Sequence, residues 1–221
     1  MQRMAVISQK GGVGKTTVAT NLAAAAHLDG RRTLIIDHDP QGSAVDWQHA
    51  RQTDTLAGID LVPLESLTLR QLAELEQGYE VVIIDTPPRL TDVTRSAVAL
   101  VDQVVIVVEP AFFSLWSLDF TLSLIDAADS IRGQLGKGPV QRHILLNKTD
   151  PRTRAAKLAR EGLAERPELC AVELRLRTAF VLTAGMGESV VSAEPDGAAA
   201  AEVNALYAHL KTGTHEARIS A

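Results

Sequence analysis

The chain has 221 residues, 46% of them hydrophobic and 22% charged, and a formal net charge of −5. That is enough chain for one domain with a sizeable core, and the acidic balance excludes bulk attraction to nucleic acid while leaving room for a local basic patch. The single cysteine, Cys170, excludes an internal disulfide and cannot alone hold a structural zinc or an iron–sulfur cluster, so it reads as a small half-buried thiol.

In chain order, Met4–Ser8 reads as a strand that runs straight into "SQKGGVGKTT", Ser8–Thr17, and then a helix from Lys15 with Val18, Leu22, Ala25 and Ala26 on one face. Strand, glycine-rich turn and helix in that order make a phosphate cradle. Gly11, Gly12 and Gly14 let backbone N–H groups approach phosphate oxygens, and the helix start adds its positive end. Lys15 supplies the countercharge for β- and γ-phosphates, and the Thr16 hydroxyl is placed to ligate Mg²⁺. The loop is nonetheless a variant. The pattern G-x-x-x-x-G-K-[ST] needs a glycine where Gln9 stands, and a second lysine, Lys10, precedes Gly11.

Thr33–Asp37 is the next strand, ending in "LIIDHDPQGSA". Asp37 and Asp39 there suit either ordering of Mg²⁺-bound water and an attacking water, or merely a turn with a helix cap. His38, with no His or Cys beside it, is expected to point outward. A helix over Ser43–Arg51, a strand over Ile59–Pro63 and a helix over Leu67–Gln77 follow. Val81–Asp85 is an apolar strand ending in a second candidate Mg²⁺-supporting carboxylate, Asp85, and "TPP" after it forces a rigid non-helical turn suited to sensing a γ-phosphate. Helices over Asp92–Val101 and Leu115–Ser130 flank the strand Gln103–Val108. His143–Asn147 is a strand whose end, Asn147-Lys148-x-Asp150, looks like a base-reading motif of GTPases. If only Asn147 touches the base, ATP stays open. A helix over Arg152–Glu165, a seventh strand near Ala171–Leu176 and a helix over Gly197–Lys211 complete the pattern.

Strands apolar throughout, alternating with helices, predict an α/β fold: a doubly wound, mostly parallel sheet flanked by helices, with ligand chemistry at the strands' carboxyl ends. Residues 1–211 are expected to form a single domain and 212–221 a flexible tail. No apolar run approaches the roughly 20 residues of a membrane span, and the first residues enter a strand, so the expectation is a cytoplasmic protein.

Together these residues resemble the deviant Walker family of ParA/MinD-type ATPases. The loop K-G-G-x-G-K-T-T stands as Lys10–Thr17 with Val13 at its variable place, D-x-D-P-Q-G as Asp37–Gly42, and D-x-P-P as Asp85–Pro88. The family pattern R-x-x-[FY]-x-x-A-x-x-x-G-x-S-V looks to be met by Arg177, Phe180, Ala184, Gly187 and Ser189 within Leu176–Val191. The resemblance implies a P-loop NTPase fold, ATP with Mg²⁺ rather than GTP, and Gly11–Thr17 with Asn147 as nucleotide contacts. It further implies Thr16, Asp37 and Asp85 around the metal, Asp39 orienting the hydrolytic water, and Lys10 reaching the other subunit's ATP in a homodimer. One cysteine disfavours the iron–sulfur carriers, and a tail whose only Lys or Arg is Arg218 disfavours a MinD-like membrane helix.

What remains resembles a short ParA of the ParF kind, a DNA partition ATPase. Its implied partners are a small ParB-like or ribbon-helix-helix centromere-binding protein and non-specific DNA, with nucleoid association when ATP is bound. Arg152, Arg154, Lys157 and Arg160 open a stretch to Arg177 with seven basic and four acidic residues, a candidate DNA patch. The alternative is a positioning ATPase for a protein cargo such as a chemosensory cluster, a microcompartment or a conjugation complex.

Overall fold

A computed structural model of the chain describes residues 1–89, 91–111 and 116–219. Six strands, β1 (Gln2–Ile7), β2 (Thr33–Asp37), β3 (Ile59–Pro63), β4 (Val81–Asp85), β5 (Gln103–Val108) and β6 (Gln141–Leu146), form one parallel sheet in the order β3-β2-β4-β1-β5-β6. The helices are α1 (Lys15–Leu28), α2 (Ser43–His49), α3 (Leu69–Leu75), α4 (Asp92–Leu100), α5 (Leu118–Gln134), α6 (Arg154–Leu163), α7 (Thr178–Gly185), α8 (Val190–Ala193) and α9 (Ala198–Ile219). The Thr212–Ala221 stretch expected as a tail falls in α9 as far as Ile219. Leu115, which opens an expected helix, lies outside the described residues.

The sheet is covered on both faces, which is why the middles of its central strands carry unbroken apolar runs rather than alternating ones. Met4, Val6, Ile35, Ile83 and Val105 join the core formed with α1, α2 and α7–α9, while Ala5, Ile7, Ile36, Ile84 and Ile106 join the core formed with α3–α6. The fold class is therefore the doubly wound parallel sheet that the pattern implied.

Two expectations need correction. His38 is buried, not outward: it directly follows a strand covered on both faces, and its Nδ1 bonds the Leu64 carbonyl. The seventh strand does not form a ladder. Residues 168–176 run beside β6, but Cys170 N–H bonds Ile144 O at 2.9 Å and Leu174 N–H bonds Leu146 O at 2.9 Å. Four residues advance on one side against two on the other, so the pairing breaks into isolated bridges. Among the described residues, no helix is long and apolar enough to cross a membrane.

Candidate functional site

Strand order alone assembles this site. β1 lies between β4 and β5, with Val6 in register with Asp85, and β2 pairs with β4 so that Asp37 stands level with Asp85. The loop leaving Ile7 therefore emerges beside one strand-terminal carboxylate, with the second one strand further out.

The loop is held from its own backbone and from below. Ser8 Oγ donates to Lys10 O at 2.8 Å and accepts from Lys10 N–H at 3.0 Å, which fixes the turn that presents the half-buried Lys10. Gly12 and Gly14 take φ of 77° and 95°, left-handed values that side chains disfavour. At Gly14 there is also no room, because a Cβ would come within 2.5 Å of Asn147 Nδ2. That amide is buried and donates to Val13 O at 2.7 Å, and Lys148 Nζ bonds Gly12 O while pairing with Glu109 at 2.8 Å. Asn147, expected at a base edge, thus sits beneath the loop as its prop. Gly14 is the N-cap of α1 and no side chain caps the helix, leaving its first N–H groups facing the cleft.

The charged groups differ sharply in how they are satisfied. Lys15 is buried at the helix start; burial lowers its pKa, with Asp85 and then Asp39 opposing that shift. Asp37 accepts from the backbone N–H groups of Asp39, Ala44 and Val45, each at 3.1 Å, so it caps the start of α2; burial still raises its carboxyl above the usual range. Asp85 accepts from the Thr16 hydroxyl at 2.6 Å on Oδ2, but its Oδ1 is buried without a partner. Burial pushes this carboxyl up to about 7. An orphaned carboxylate oxygen beside a helix-start threonine fits a nearby hard cation, which favours oxygen donors. Asp39 is half exposed at the cleft rim, its Oδ1 taking the Gln41 N–H at 3.0 Å.

Lys15 and Asp39 line an open cleft of about 750 Å³, with Gly11, Gly12, Gly14, Thr16 and Thr17 beside Lys15 and Trp47, Pro88, Lys148, Val181 and Gly185 around it, while Asp37 and Asp85 lie behind its surface. Val13 is buried and Asn147 does not line it; the other expected loop residues do. The segment around Phe180–Ser189 forms a wall here through α7, with α8 following behind it, and Trp47 was not read as lining from the sequence. That wall is tied down by Trp47 Nε1 donating to Glu188 O at 2.9 Å, and by Gly187, whose φ of 67° brings it against the Arg51 backbone. Asn21 of α1 clamps it further, taking Ser189 Oγ at 2.7 Å and Val190 N–H at 3.1 Å.

The basic stretch is placed far less openly than its composition suggests. Arg152 pairs with Asp150, Lys157 with Glu161, Arg160 with Glu173, Arg166 with Asp119, and Arg175 and Arg177 with Glu202. Folding brings Asp119, Asp150 and Glu202 from outside the stretch, which cancels its local excess. Arg154 is exposed with no partner among the described residues.

A buried lysine at a helix start facing strand-end carboxylates across a glycine cradle defines the class: a P-loop nucleotide-binding protein. Residues 4–180 match the model of the CobQ/CobB/MinD/ParA nucleotide binding domain, and the chain belongs to that family. It is 40% identical over 151 residues to maintenance of carboxysome distribution protein A of Gloeobacter kilaueensis, covering 68% of this chain and 64% of that protein, less than two thirds of its length. It is 30% identical over 181 residues to the chromosome-partitioning ATPase Soj of Thermus thermophilus, covering 69% and 72% of the two chains. Its fold is similar to that of the septum site-determining protein MinD of Pyrococcus horikoshii complexed with Mg-ADP, with a TM-score of 0.68 at 18% identity over 93% of this chain and 94% of that one.

Proposed function

We propose that this chain is an ATPase whose ATP-bound form is a homodimer, and that the binding and hydrolysis cycle distributes a cargo. The observation that carries the reading is the convergence of Lys15, Thr16 and Asp39 on one cleft, with Asp85 bonded to Thr16 behind it, beside a loop that also presents Lys10. The Gly11–Thr17 backbone cradles the phosphates, Lys15 neutralises them, and Asn147 holds the cradle's shape from below. Thr16, Asp37 and Asp85 would surround Mg²⁺, which when bound would supply positive charge to the phosphates. Asp39, at the rim with one oxygen left to accept, orients the attacking water and shares no bond with the metal-side pair except the Asp39 N–H to Asp37 contact. Lys10 extends from a fixed turn and serves the facing subunit's phosphates, since Lys15 already serves its own.

The cargo has two readings. One is plasmid or mobile-element DNA, moved with a ParB-like or ribbon-helix-helix partner on nucleoid DNA; similarity to the partitioning ATPase Soj supports it. The other is a protein assembly, supported by 40% identity to a carboxysome distribution protein. The paired state of Arg152, Lys157 and Arg160 favours the second, or a DNA surface completed only by dimerisation.

Light scattering with ATP tests the core of the proposal. Asp39→Ala is expected to bind ATP and accumulate as dimer without releasing phosphate, and Lys10→Ala to bind ATP as a monomer. A Lys10→Ala protein that dimerises like the wild type removes the subunit-bridging role.

A further inference from the structure

Outside the lining of the cleft, three donors from three distant parts of the chain meet. His143 of β6, Cys170 of the segment beside it and His209 of α9 place one nitrogen or sulfur atom each within 4.8 Å of one another. Their positions are set by backbone and core contacts. Cys170 N–H bonds Ile144 O at 2.9 Å, which seats the cysteine against the residue after His143. α9 is fixed over the amino ends of β1 and β5, because Leu210 O accepts from Gln2 Nε2 at 3.0 Å and from Gln103 Nε2 at 3.2 Å. The two imidazoles meet edge to face, 5.4 Å between centroids.

A core histidine with a structural role alone would be hydrogen bonded, yet His143 is 9% exposed and its Nε2 is buried with no partner. Among the described residues no carboxylate or carbonyl takes it up; what faces it is a second imidazole and a thiol. Nitrogen and sulfur donors of this kind suit a borderline divalent ion such as Zn²⁺ and are poor ligands for Mg²⁺. Tetrahedral zinc needs ligand atoms roughly 3.3–3.6 Å apart, given bonds of about 2.0–2.3 Å, a modest contraction that side-chain rotation supplies.

We infer that His143, Cys170 and His209 form a Zn²⁺ site that fastens α9 to the β6 edge of the sheet. Three protein ligands leave one position for water, on the side where His209 is half exposed. The ion would cross-link residues that are remote in sequence, so its binding energy adds directly to the stability of the C-terminal helix on the sheet. The site is independent of the nucleotide reading, as none of its ligands lines the cleft.

The test is a titration of the full-length, nucleotide-free protein with Zn²⁺ against a chromophoric chelator, repeated with Co²⁺ to read thiolate-to-metal charge transfer. One equivalent is expected, with a cobalt–thiolate band and a Zn²⁺-dependent rise in melting temperature. Cys170→Ser should abolish the band, and either Cys170→Ser or His209→Gln should weaken Zn²⁺ by at least about 100-fold, more than loss of an outer-shell partner costs. Both replacements are close in size, and the metal-free melting temperature of each reports that it folds. Absence of saturable binding, binding without the thiolate band, or wild-type affinity in both variants would each overturn the site.

Discussion

The two ends of one row of residues, running across the sheet from β2 to β6, offer opposite chemistry. At the carboxyl ends of β2 and β4 stand oxygen donors and a lysine, Asp37, Asp85, Thr16 and Lys15; at the β6 edge stand nitrogen and sulfur, His143, Cys170 and His209. Both hold a buried orphan, Asp85 Oδ1 at one end and His143 Nε2 at the other. Both orphans are titratable, and burial displaces them in opposite directions, the carboxyl up to about 7 and the imidazole down to about 4. Burial thus favours the neutral form of both: the carboxyl must lose its proton to take a hard cation, whereas the neutral imidazole is already in the form that ligates a borderline one.

The largest effect that separates the ends is expected from Lys15→Ala. Removing the buried countercharge should weaken ATP by about 100-fold or more, read by a fluorescent nucleotide, while the Zn²⁺ titration stays unchanged. If zinc binding fell as well, the ends would not be independent. Next in size is Gly14→Ala, which combines a φ of 95° with a 2.5 Å approach to Asn147. A cost of about 2–4 kcal/mol in urea unfolding is expected, and Asn147→Ala in the same chain should restore part of it because only the crowding is relieved.

A smaller effect comes from pH. Asp85 has a folded pKa raised from 3.8 to about 7, so its contribution is fully present below about 4 and is lost as pH rises through 7. His143 is lowered from 6.5 to about 4, so its contribution is present above 6.5 and is lost as pH falls through 4. Over about pH 4–6.5 the two slopes are opposed, so they offset each other in the ligand-free melting temperature. Asp85→Asn should unmask the His143 slope, a melting temperature that rises with pH across that interval. The smallest effect is reserved for Arg154→Glu, which should alter salt-dependent DNA retention by no more than about threefold, since neighbouring arginines are already paired.

The oxygen end was legible in the sequence because its residues come in contiguous boxes, Lys10–Thr17, Asp37–Gly42 and Asp85–Pro88, each at the end of an apolar strand. The nitrogen and sulfur end was not, because its members lie far apart and each is unremarkable alone: Cys170 reads as a thiol and nothing more. The wall opposite the phosphate loop was half legible. Phe180 and Ser189 fall in a family pattern, yet α7 shows no amphipathic period, with Val181 73% exposed and Leu182 58% exposed beside buried Phe180 and Thr183. The seventh strand failed for a different reason. Its composition suits a strand, but the extra residues between Cys170 and Leu174 defeat the register, and register is a property of two segments rather than one. Asn147 was found for its position after β6, but its hold on Val13 O was not, since nothing in the sequence tells whether an amide faces a ligand or props a loop.

Asn21 sets how the cleft can open. Its Nδ2 donates to Thr17 O at 2.8 Å, one turn from the phosphate loop, while its Oδ1 holds Ser189 and Val190 at the foot of the far wall. The start of α1 and the α7–α8 wall are thereby locked as the fixed jaw of a calliper, its span set by one turn of helix. Trp47 adds a second tie from α2 to that wall, at 2.9 Å to Glu188 O, so both flanks of the cleft meet the α7–α8 wall through fixed contacts.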